Sequence, residues 1–322
     1  MKISLVIPTY NRPEHLENCL KSIIDQSYLP HEIFIVDNSP VDGLDDLIRY
    51  WTSEFKKKNV SLVYKRNTIN SLTAARNLGA EATTGDIISF LDDDVTISQN
   101  YFKEIINVFK KYKTAKGVQG YIQGEDNRGR IRNLFNRIFF NYHTEKNGCR
   151  VLPSVSTTYP LQLSKTIPCE WISGSNQNYK REIFQNLCFD ENLMKYCEGE
   201  DLDFSYRVFK KYSGSLFITP DAKVEHHVAL NGRAIGKEQL YMFEVYGLYL
   251  FFKLFKPTLL NISKYSLNRI GKLIIMFTIA TLRYKRGKIS EIGYYLAAIC
   301  YSVIHYKKLI RGNLGFFNNR LS

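Results

Sequence analysis

Apolar residues along the first third of the chain come in short unbroken runs. Each run ends in a polar cluster and is followed by a stretch in which apolar residues return every third or fourth position. Lys2 to Ile7 reads as a buried strand, Pro8 to Pro13 as a loop, and Leu16, Leu20, Ile23 and Ile24 as one face of a helix. The unit repeats. Glu32 to Val36 predicts a strand and Leu44 to Lys57 a helix, Ser61 to Tyr64 a strand and Leu72 to Ala80 a helix with Gly85 beyond its end, and Ile87 to Leu91 a fourth strand. This alternation predicts an α/β fold, a parallel sheet with helices on both faces and ligands at the carboxyl ends of the strands. Farther on, Gly117 to Ile122 predicts a fifth strand and Gly124 to Arg132 a polar loop. Trp171 to Gln177 predicts a strand running into a small-residue turn, and Arg181 to Leu187 a short helix. In a later helix Leu202, Tyr206, Phe209 and Tyr212 share roughly one face.

The polar clusters obey the rule for such sheets. Thr9-Tyr10-Asn11, Asp37-Asn38, Arg66-Asn67 and Asp92 to Asp94 each follow an apolar strand directly, so the four would line a single rim. Three carboxylates beside an apolar strand repel one another, and leaving them unpaired costs on the order of several kcal/mol. A bound cation reverses that cost, and hard oxygen ligands suit Mg²⁺ or Mn²⁺. The other reading is a polar loop capping a helix that begins near Ser98. A second acidic cluster, Glu198, Glu200, Asp201 and Asp203, opens the later helix. Acids there complement the helix dipole, a gain of about 0.3–1 kcal/mol. Four acids in six residues exceed what capping needs and point to a site.

Charge divides the chain. The net charge is +13, and residues 236–322 hold 14 Lys and Arg against 3 acids, leaving 30 against 28 in the rest. Such a segment suits either nucleic acid or an anionic membrane surface. Its aromatics (Tyr241, Phe243, Tyr246, Tyr249, Phe251 and Phe252 among them) and its apolar runs Leu273 to Leu282 and Ile292 to Ile304 read as interfacial helices. None reaches the roughly 18–20 apolar residues of a spanning helix. A helical subdomain packed on the core is the competing reading. The expected organisation is a catalytic domain over 1–235 and a basic, aromatic-rich helical region over 236–322. Six scattered cysteines without a C-x-x-C pair are expected as buried thiols of a reducing compartment. The apolar run Ile3 to Ile7 is too short for a secretory segment, so cytoplasmic residence is expected.

With these motifs in order, the chain resembles the family-2 glycosyltransferases, enzymes of the GT-A fold that move a sugar from a nucleotide-diphosphate sugar to an acceptor hydroxyl, which implies a Rossmann-like mixed sheet flanked by helices. The residues that carry the resemblance are Val6-Ile7-Pro8-Thr9-Tyr10-Asn11-Arg12, Val36-Asp37-Asn38-Ser39, Ala75-Arg76-Asn77-Leu78-Gly79 and Phe90-Leu91-Asp92-Asp93-Asp94. They continue through Trp171 to Asn176 and Gly199-Glu200-Asp201, and together span residues 3 to about 227. The likeness is to bacterial polysaccharide and rhamnosyl-type transferases. It implies that Pro8, Thr9 and Asn11 border the nucleotide, that Asp37 accepts from its base, and that Arg76 positions the diphosphate or the acidic cluster. It further implies Asp92 near the ribose and metal shell, Asp93 within the motif but without a task of its own, and Asp94 as direct metal ligand. Gly174 and Asn176 would lie near the acceptor, Asp201 would be the general base with Glu200 as its fallback, and transfer would invert the anomeric centre. Family members often place a metal-binding histidine where His226 and His227 stand; His226 fits the pattern better, with the register open.

The partners implied are a UDP-, dTDP- or GDP-sugar donor, a glycan or lipid-linked acceptor, and an anionic membrane surface at the inner face of the cell membrane. Two positions depart from the family pattern: Ser39-Pro40, where a glycine is usual, and Ser71, where a glycine is common. Three other classes compete. A nucleotidyltransferase would usually carry a glycine-rich, lysine-bearing phosphate loop, which the early chain lacks. A nucleic-acid-binding protein leaves Asp92 to Asp94 and Glu200-Asp201 unexplained, so no nucleic-acid partner is expected. A nucleotide-sugar-binding protein without transferase activity fits the same residues.

Overall fold

The computed structural model describes residues 1–41, 43–67, 69–124, 129–146, 148–196, 199–227, 236–282 and 286–321. The repeating pattern forms as its periodicity requires: β1 (Ile3–Thr9), α1 (Pro13–Ile24), β2 (Glu32–Asp37), α2 (Asp45–Lys57), β3 (Ser61–Arg66), α3 (Leu72–Ala82) and β4 (Ile87–Leu91). Then come β5 (Val95–Ile97), α4 (Tyr101–Lys111), β6 (Gly117–Ile122), α5 (Arg130–Ile138), β7 (His143–Glu145), β8 (Val151–Leu152), β9 (Ser156–Pro160), β10 (Ile167–Cys169) and β11 (Asn176–Lys180). A 3-10 turn over Arg181–Gln185 precedes α6 (Glu200–Lys211) and β12 (Leu216–His226). The chain ends in α7 (Gly236–Leu254), α8 (Leu259–Leu282), α9 (Arg286–Ile304), α10 (Tyr306–Ile310) and α11 (Gly315–Asn318).

Two compact units result. The first comprises Met1–Glu125, Gln162–Glu191 and Glu200–Gly232; the second comprises Asp126–Leu161, Asn192–Gly199 and Arg233–Ser322. The expected border at 235/236, like Cys197 and Glu198 of the second acidic cluster, falls on or beside residues outside the described ones.

In the first unit a sheet runs in the order β10-β12-β6-β11-β4-β1-β2-β3, with β5 paired to β12. It is mixed, as the resemblance implies, and the alternating units predicted to pair in parallel do so. β1, β2, β3 and β4 are parallel, while β11, β10 and β5 run antiparallel to their neighbours. The antiparallel strands escape the periodicity because they are short, as in β5, or polar, as in β11. Trp171 to Ser175 is not strand; pairing begins at Asn176. Asn176 and Asn178 are buried there because Asn176 Oδ1 accepts from the Gly120 amide (2.6 Å) and Asn178 Nδ2 donates to the Tyr101 hydroxyl (2.8 Å). The helix expected near Ser98 starts at Tyr101, after β5. The core fills the space between the sheet and its helices: Ile3, Leu5 and Ile7 of β1 share a cluster with Leu16, Leu20 and Ile23 of α1 and Phe102 and Phe109 of α4.

The second unit holds a three-stranded sheet, β7-β9-β8, and the helices α5 and α7 to α11. Arg130 is already helical, so the polar loop expected through Arg132 is shorter than read. A buried ion pair, Arg269 Nε to Glu244 Oε2 at 3.0 Å, ties α8 to α7. Among the described residues no helix is long and apolar enough to cross a membrane. Cys19, Cys149 and Cys169 are buried as expected, whereas Cys188 and Cys300 are exposed.

Candidate active site

Parallel pairing in register brings the strand ends of the first unit side by side. Thr9 stands opposite Asp37, and Asp37 opposite Arg66, at the carboxyl edge of β1, β2 and β3. Asp37 is buried, with Oδ2 accepting from the Tyr64 hydroxyl (2.7 Å) and Oδ1 from the Ser39 amide (2.8 Å) and the Ser39 hydroxyl. Asn11, at φ 52°, donates its amide to Ser39 Oγ (2.8 Å), and Arg66 donates to the Ser39 carbonyl (2.7 Å). Both departures from the family pattern acquire a physical role. Ser39 gathers Asp37, Asn11 and Arg66 around itself, and Ser71 caps α3, its hydroxyl accepting from the Ala74 amide (3.3 Å).

The acidic triplet leaves β4 and divides its side chains. Asp93 turns toward β1, accepting from Thr9 Oγ1 (2.7 Å) and from Arg12 (2.9 Å). Asp92 accepts from Arg76 (3.0 Å). Asp94 Oδ1 lies 3.2 Å from His226 Nε2, and Asp94 Oδ2 lies 3.5 Å from the Arg12 guanidinium. The antiparallel pairing of β12 with β5 sets His226 opposite Val95, which explains why it reaches the neighbouring Asp94. It also separates the two histidines: the His227 ring is 2.9 Å from Thr96 Oγ1 instead. Asp92, Asp94 and His226 each offer a ligand atom, and these atoms lie within 4.8 Å of one another. Two hard oxygens and an imidazole nitrogen at that separation fit a divalent cation such as Mn²⁺ or Mg²⁺.

Burial sets the electrostatics here. It pushes the Asp93 carboxyl up to about 7 against the opposing pull of Arg12 and Thr9, and raises Asp92 against the pull of Arg76. The Cys19 thiol beneath is raised first by burial and then by all three aspartates. A positive ion at this place relieves the same repulsion.

Arg76 of α3 joins this group to the second acidic cluster. Its buried guanidinium donates to Asp92, to the Gly174 carbonyl (3.1 Å) and to Glu200 Oε1 (3.2 Å). The Gly174 amide in turn donates to Asp201 Oδ2 (2.8 Å), and the Leu202 amide to Asp201 Oδ1 (2.7 Å). A side chain on Gly174 would begin 3.1 Å from the Arg76 guanidinium and 3.4 Å from Asp201, so the turn is packed between the two. Burial and the adjacent Asp201 push Glu200 up to about 8, with Arg76 pulling the other way. Asp201 is only half buried, and its oxygens accept from main-chain amides.

The structure therefore brings Thr9, Asp92, Asp93, Asp94 and His226 into one cluster and connects Arg76, Gly174, Glu200 and Asp201 to it. Pro8 is buried in β1 opposite Val36, and Asn11 stands exposed at the rim beside Ser39. Asn176 is not brought to the group: it is fully buried against Gly120 and Tyr101. Arg12 and Asp93, given no role from the sequence, pair with each other here. The signal available was a cation placed directly after Thr9-Tyr10-Asn11, where a carboxylate-lined rim needs one.

A family model described as Glycosyl transferase family 2 matches residues 4–187. The chain belongs to this family. Glycosyltransferase GlyA of Streptococcus pneumoniae is 28% identical over 211 residues, 65% of this chain but only 28% of GlyA. The chain therefore spans little more than a quarter of that relative. The glucosyl-dolichyl phosphate glucuronosyltransferase of Haloferax volcanii is 23% identical over 70% of this chain and 69% of its own length. The mannosyltransferase PcManGT from Pyrobaculum calidifontis, solved with GDP-Man and Mn²⁺, superposes with a TM-score of 0.57 at 16% identity, covering 94% of this chain and 87% of that one. This likeness establishes the GT-A fold of the family-2 chain.

Proposed function

We infer that this family-2 chain transfers a sugar from a nucleotide-diphosphate sugar to an acceptor hydroxyl, with inversion and with Mg²⁺ or Mn²⁺ as cofactor. Its setting would be cell-surface polysaccharide or glycolipid assembly, with the protein attached peripherally to the cytoplasmic face of the membrane through its basic C-terminal region. The observation that carries the reading is the continuity from Asp92 through Arg76 and Gly174 to Asp201. It ties a ligand set for a cation to a half-buried carboxylate, the two parts that sugar transfer from a diphosphate requires.

Asp92, Asp94 and His226 would hold the cation. With it bound, the charge developing on the departing nucleotide diphosphate is neutralised. The chain's own residues do the rest. Asp201 Oδ removes the proton from the acceptor hydroxyl as that oxygen bonds to the anomeric carbon, whose bond to the diphosphate oxygen breaks on the opposite face. Inversion follows from this single displacement. Glu200 is a poorer base, because a carboxyl raised to about 8 holds its own proton at neutral pH. Asp37 and its partners Ser39 and Tyr64 form the part of the rim suited to a nucleotide base. GDP-Man in PcManGT and the dolichyl-phosphate-linked acceptor in the name of the Haloferax enzyme favour a nucleotide-sugar donor and a lipid-linked acceptor.

The test separates binding from transfer. A panel of nucleotide sugars is screened for Mn²⁺-dependent thermal stabilisation, in which a ligand at a hundred times its Kd contributes about 2.7 kcal/mol. Asp201→Asn is expected to keep the stabilisation by the selected donor and to lose transfer by about 10²–10⁴-fold. Transfer equal to the unmodified chain would exclude Asp201 as the base. A donor that binds but is never consumed with any acceptor would leave a binding protein, not a transferase.

A further inference from the structure

Helix α5 is amphipathic in the reverse of the usual sense. Ile131, Leu134 and Ile138 fall three and four residues apart on one stripe, and are 87, 60 and 58% exposed. Its two asparagines face the protein, and its arginines share the outer side with the aliphatic residues. Asn136 is buried, and Asn133 exchanges hydrogen bonds with the main chain of Thr144 (2.9 Å each way). A helix at a protein–water boundary normally turns its apolar stripe inward. Three large aliphatic side chains aligned outward on nine residues mark a surface that meets something apolar.

A second stripe lies on α8, where Leu267, Ile270, Ile274 and Phe277 are exposed at spacings of three, four and three residues. That stripe runs about 15 Å along the helix. The two helices are clamped together. The Asn268 amide donates to the Phe140 carbonyl (2.9 Å) and to Asn141 Oδ1 (2.7 Å), just beyond the end of α5. Gly271 lets Phe139 approach so closely that a Cβ there would sit 2.4 Å from the Phe139 Cβ.

Charge selects the occupant. α5 carries Arg130, Arg132 and Arg137, all exposed, and α8 carries Lys264, Arg269 and Lys272; neither helix contains an acid. Of these, Arg269 is committed to Glu244. An apolar stripe bordered by cations and free of acids matches a bilayer whose headgroups are anionic, since the aliphatic side chains enter the acyl boundary while the guanidinium groups meet phosphate.

We propose that α5, with the adjoining stripe of α8, is the surface by which this protein docks on an anionic phospholipid bilayer. The inference rests on the peripheral attachment put forward above and changes its site, adding a helix from the middle of the chain that the basic C-terminal region does not include. Docking through α5 requires neither donor nor acceptor.

The full chain is tested by flotation with vesicles of phosphatidylcholine, with and without phosphatidylglycerol, in the absence of nucleotide. The protein is expected to float with the anionic vesicles and to be released from the neutral ones. Ile131→Ser/Leu134→Ser/Ile138→Ser is expected to weaken that binding about tenfold or more. Arg132→Glu/Arg137→Glu is expected to abolish the preference for phosphatidylglycerol. Both variants should retain Mn²⁺-dependent donor stabilisation, which shows that they fold. Flotation unchanged by the α5 substitutions but lost in Ile270→Ser/Ile274→Ser/Phe277→Ser overturns the role of α5 and leaves peripheral attachment standing. No flotation of the unmodified chain overturns both. If the α5 substitutions leave flotation unchanged and turn a dimer into a monomer, the stripe is a self-association surface and the proposal fails.

Discussion

A guanidinium without exposed surface, held against Asp92, Glu200 and the Gly174 carbonyl, has given up its hydration for fixed acceptors. The gain from such an exchange is small, but the loss on breaking it is large, because Asp92, Glu200 and the Gly174 carbonyl are left without their donor in a dry site. Arg76→Met is therefore expected to destabilise the fold by about 3–5 kcal/mol in urea unfolding. Arg49→Met, which breaks the solvent-exposed pair with Asp46, should cost under about 1 kcal/mol. Arg76→Lys does not restore the site, since an ammonium lacks the planar fork that reaches Asp92 and Glu200 at once. Equal destabilisation by the Arg76 and Arg49 substitutions would refute the special burden assigned to Arg76. Asp93 illustrates the same logic from the other side. Its partner Arg12 lies 81 positions away in sequence, so the need for a cation was legible but its identity required the sheet.

Sheet and helix meet closely where α3 crosses β1. A Cβ on Gly79 would lie 2.3 Å from Val6 Cγ1, well inside contact. In an open helix, replacing glycine with alanine stabilises by about 0.5–1 kcal/mol. Here the clash opposes it, and overpacking a filled core costs about 1–3 kcal/mol, so Gly79→Ala is expected to destabilise overall. Val6→Ala should relieve it: the double variant is expected to be more stable than the sum of the two single effects, and strict additivity would exclude the contact as the cause. β1 to β4 were legible at this scale because unbroken apolar runs ending in polar residues are what buried parallel strands require. β11 was not. Its Asn-Gln-Asn-Tyr-Lys composition reads as exposed, and partners such as Tyr101, Val118 and Gly120, drawn from α4 and β6, make burial of the asparagines affordable. α5 was hidden by its arginines, which let a short helix with an outward apolar stripe read as the end of a polar loop.

Across the whole molecule, protons and a divalent cation compete for the same negative region, which gives the stability of the metal-free chain and the increment added by metal opposite dependences on pH. Glu200 titrates at about 8 in the folded chain and near its ordinary 4.5 when unfolded; Asp93, at about 7, is shifted in the same sense. Between about pH 5 and about pH 8 the folded state thus holds protons that the unfolded state has released, and stability falls as pH rises through that window. Metal-free protein, prepared with a chelator, is expected to show a Tm that declines from about pH 5 to about pH 8. Glu200→Gln removes one of the protons concerned and should flatten the decline. A cation held by Asp92, Asp94 and His226 needs the carboxylates ionised and the imidazole neutral, so its affinity rises with pH. The Tm increase produced by a fixed Mn²⁺ concentration is therefore expected to grow from about pH 5 to about pH 8. His226→Ala should shrink the increase by removing one of the three ligands. A Mn²⁺ increment that stays constant across this range would mean that the ion binds elsewhere, and would remove His226 and the two aspartates as its ligands.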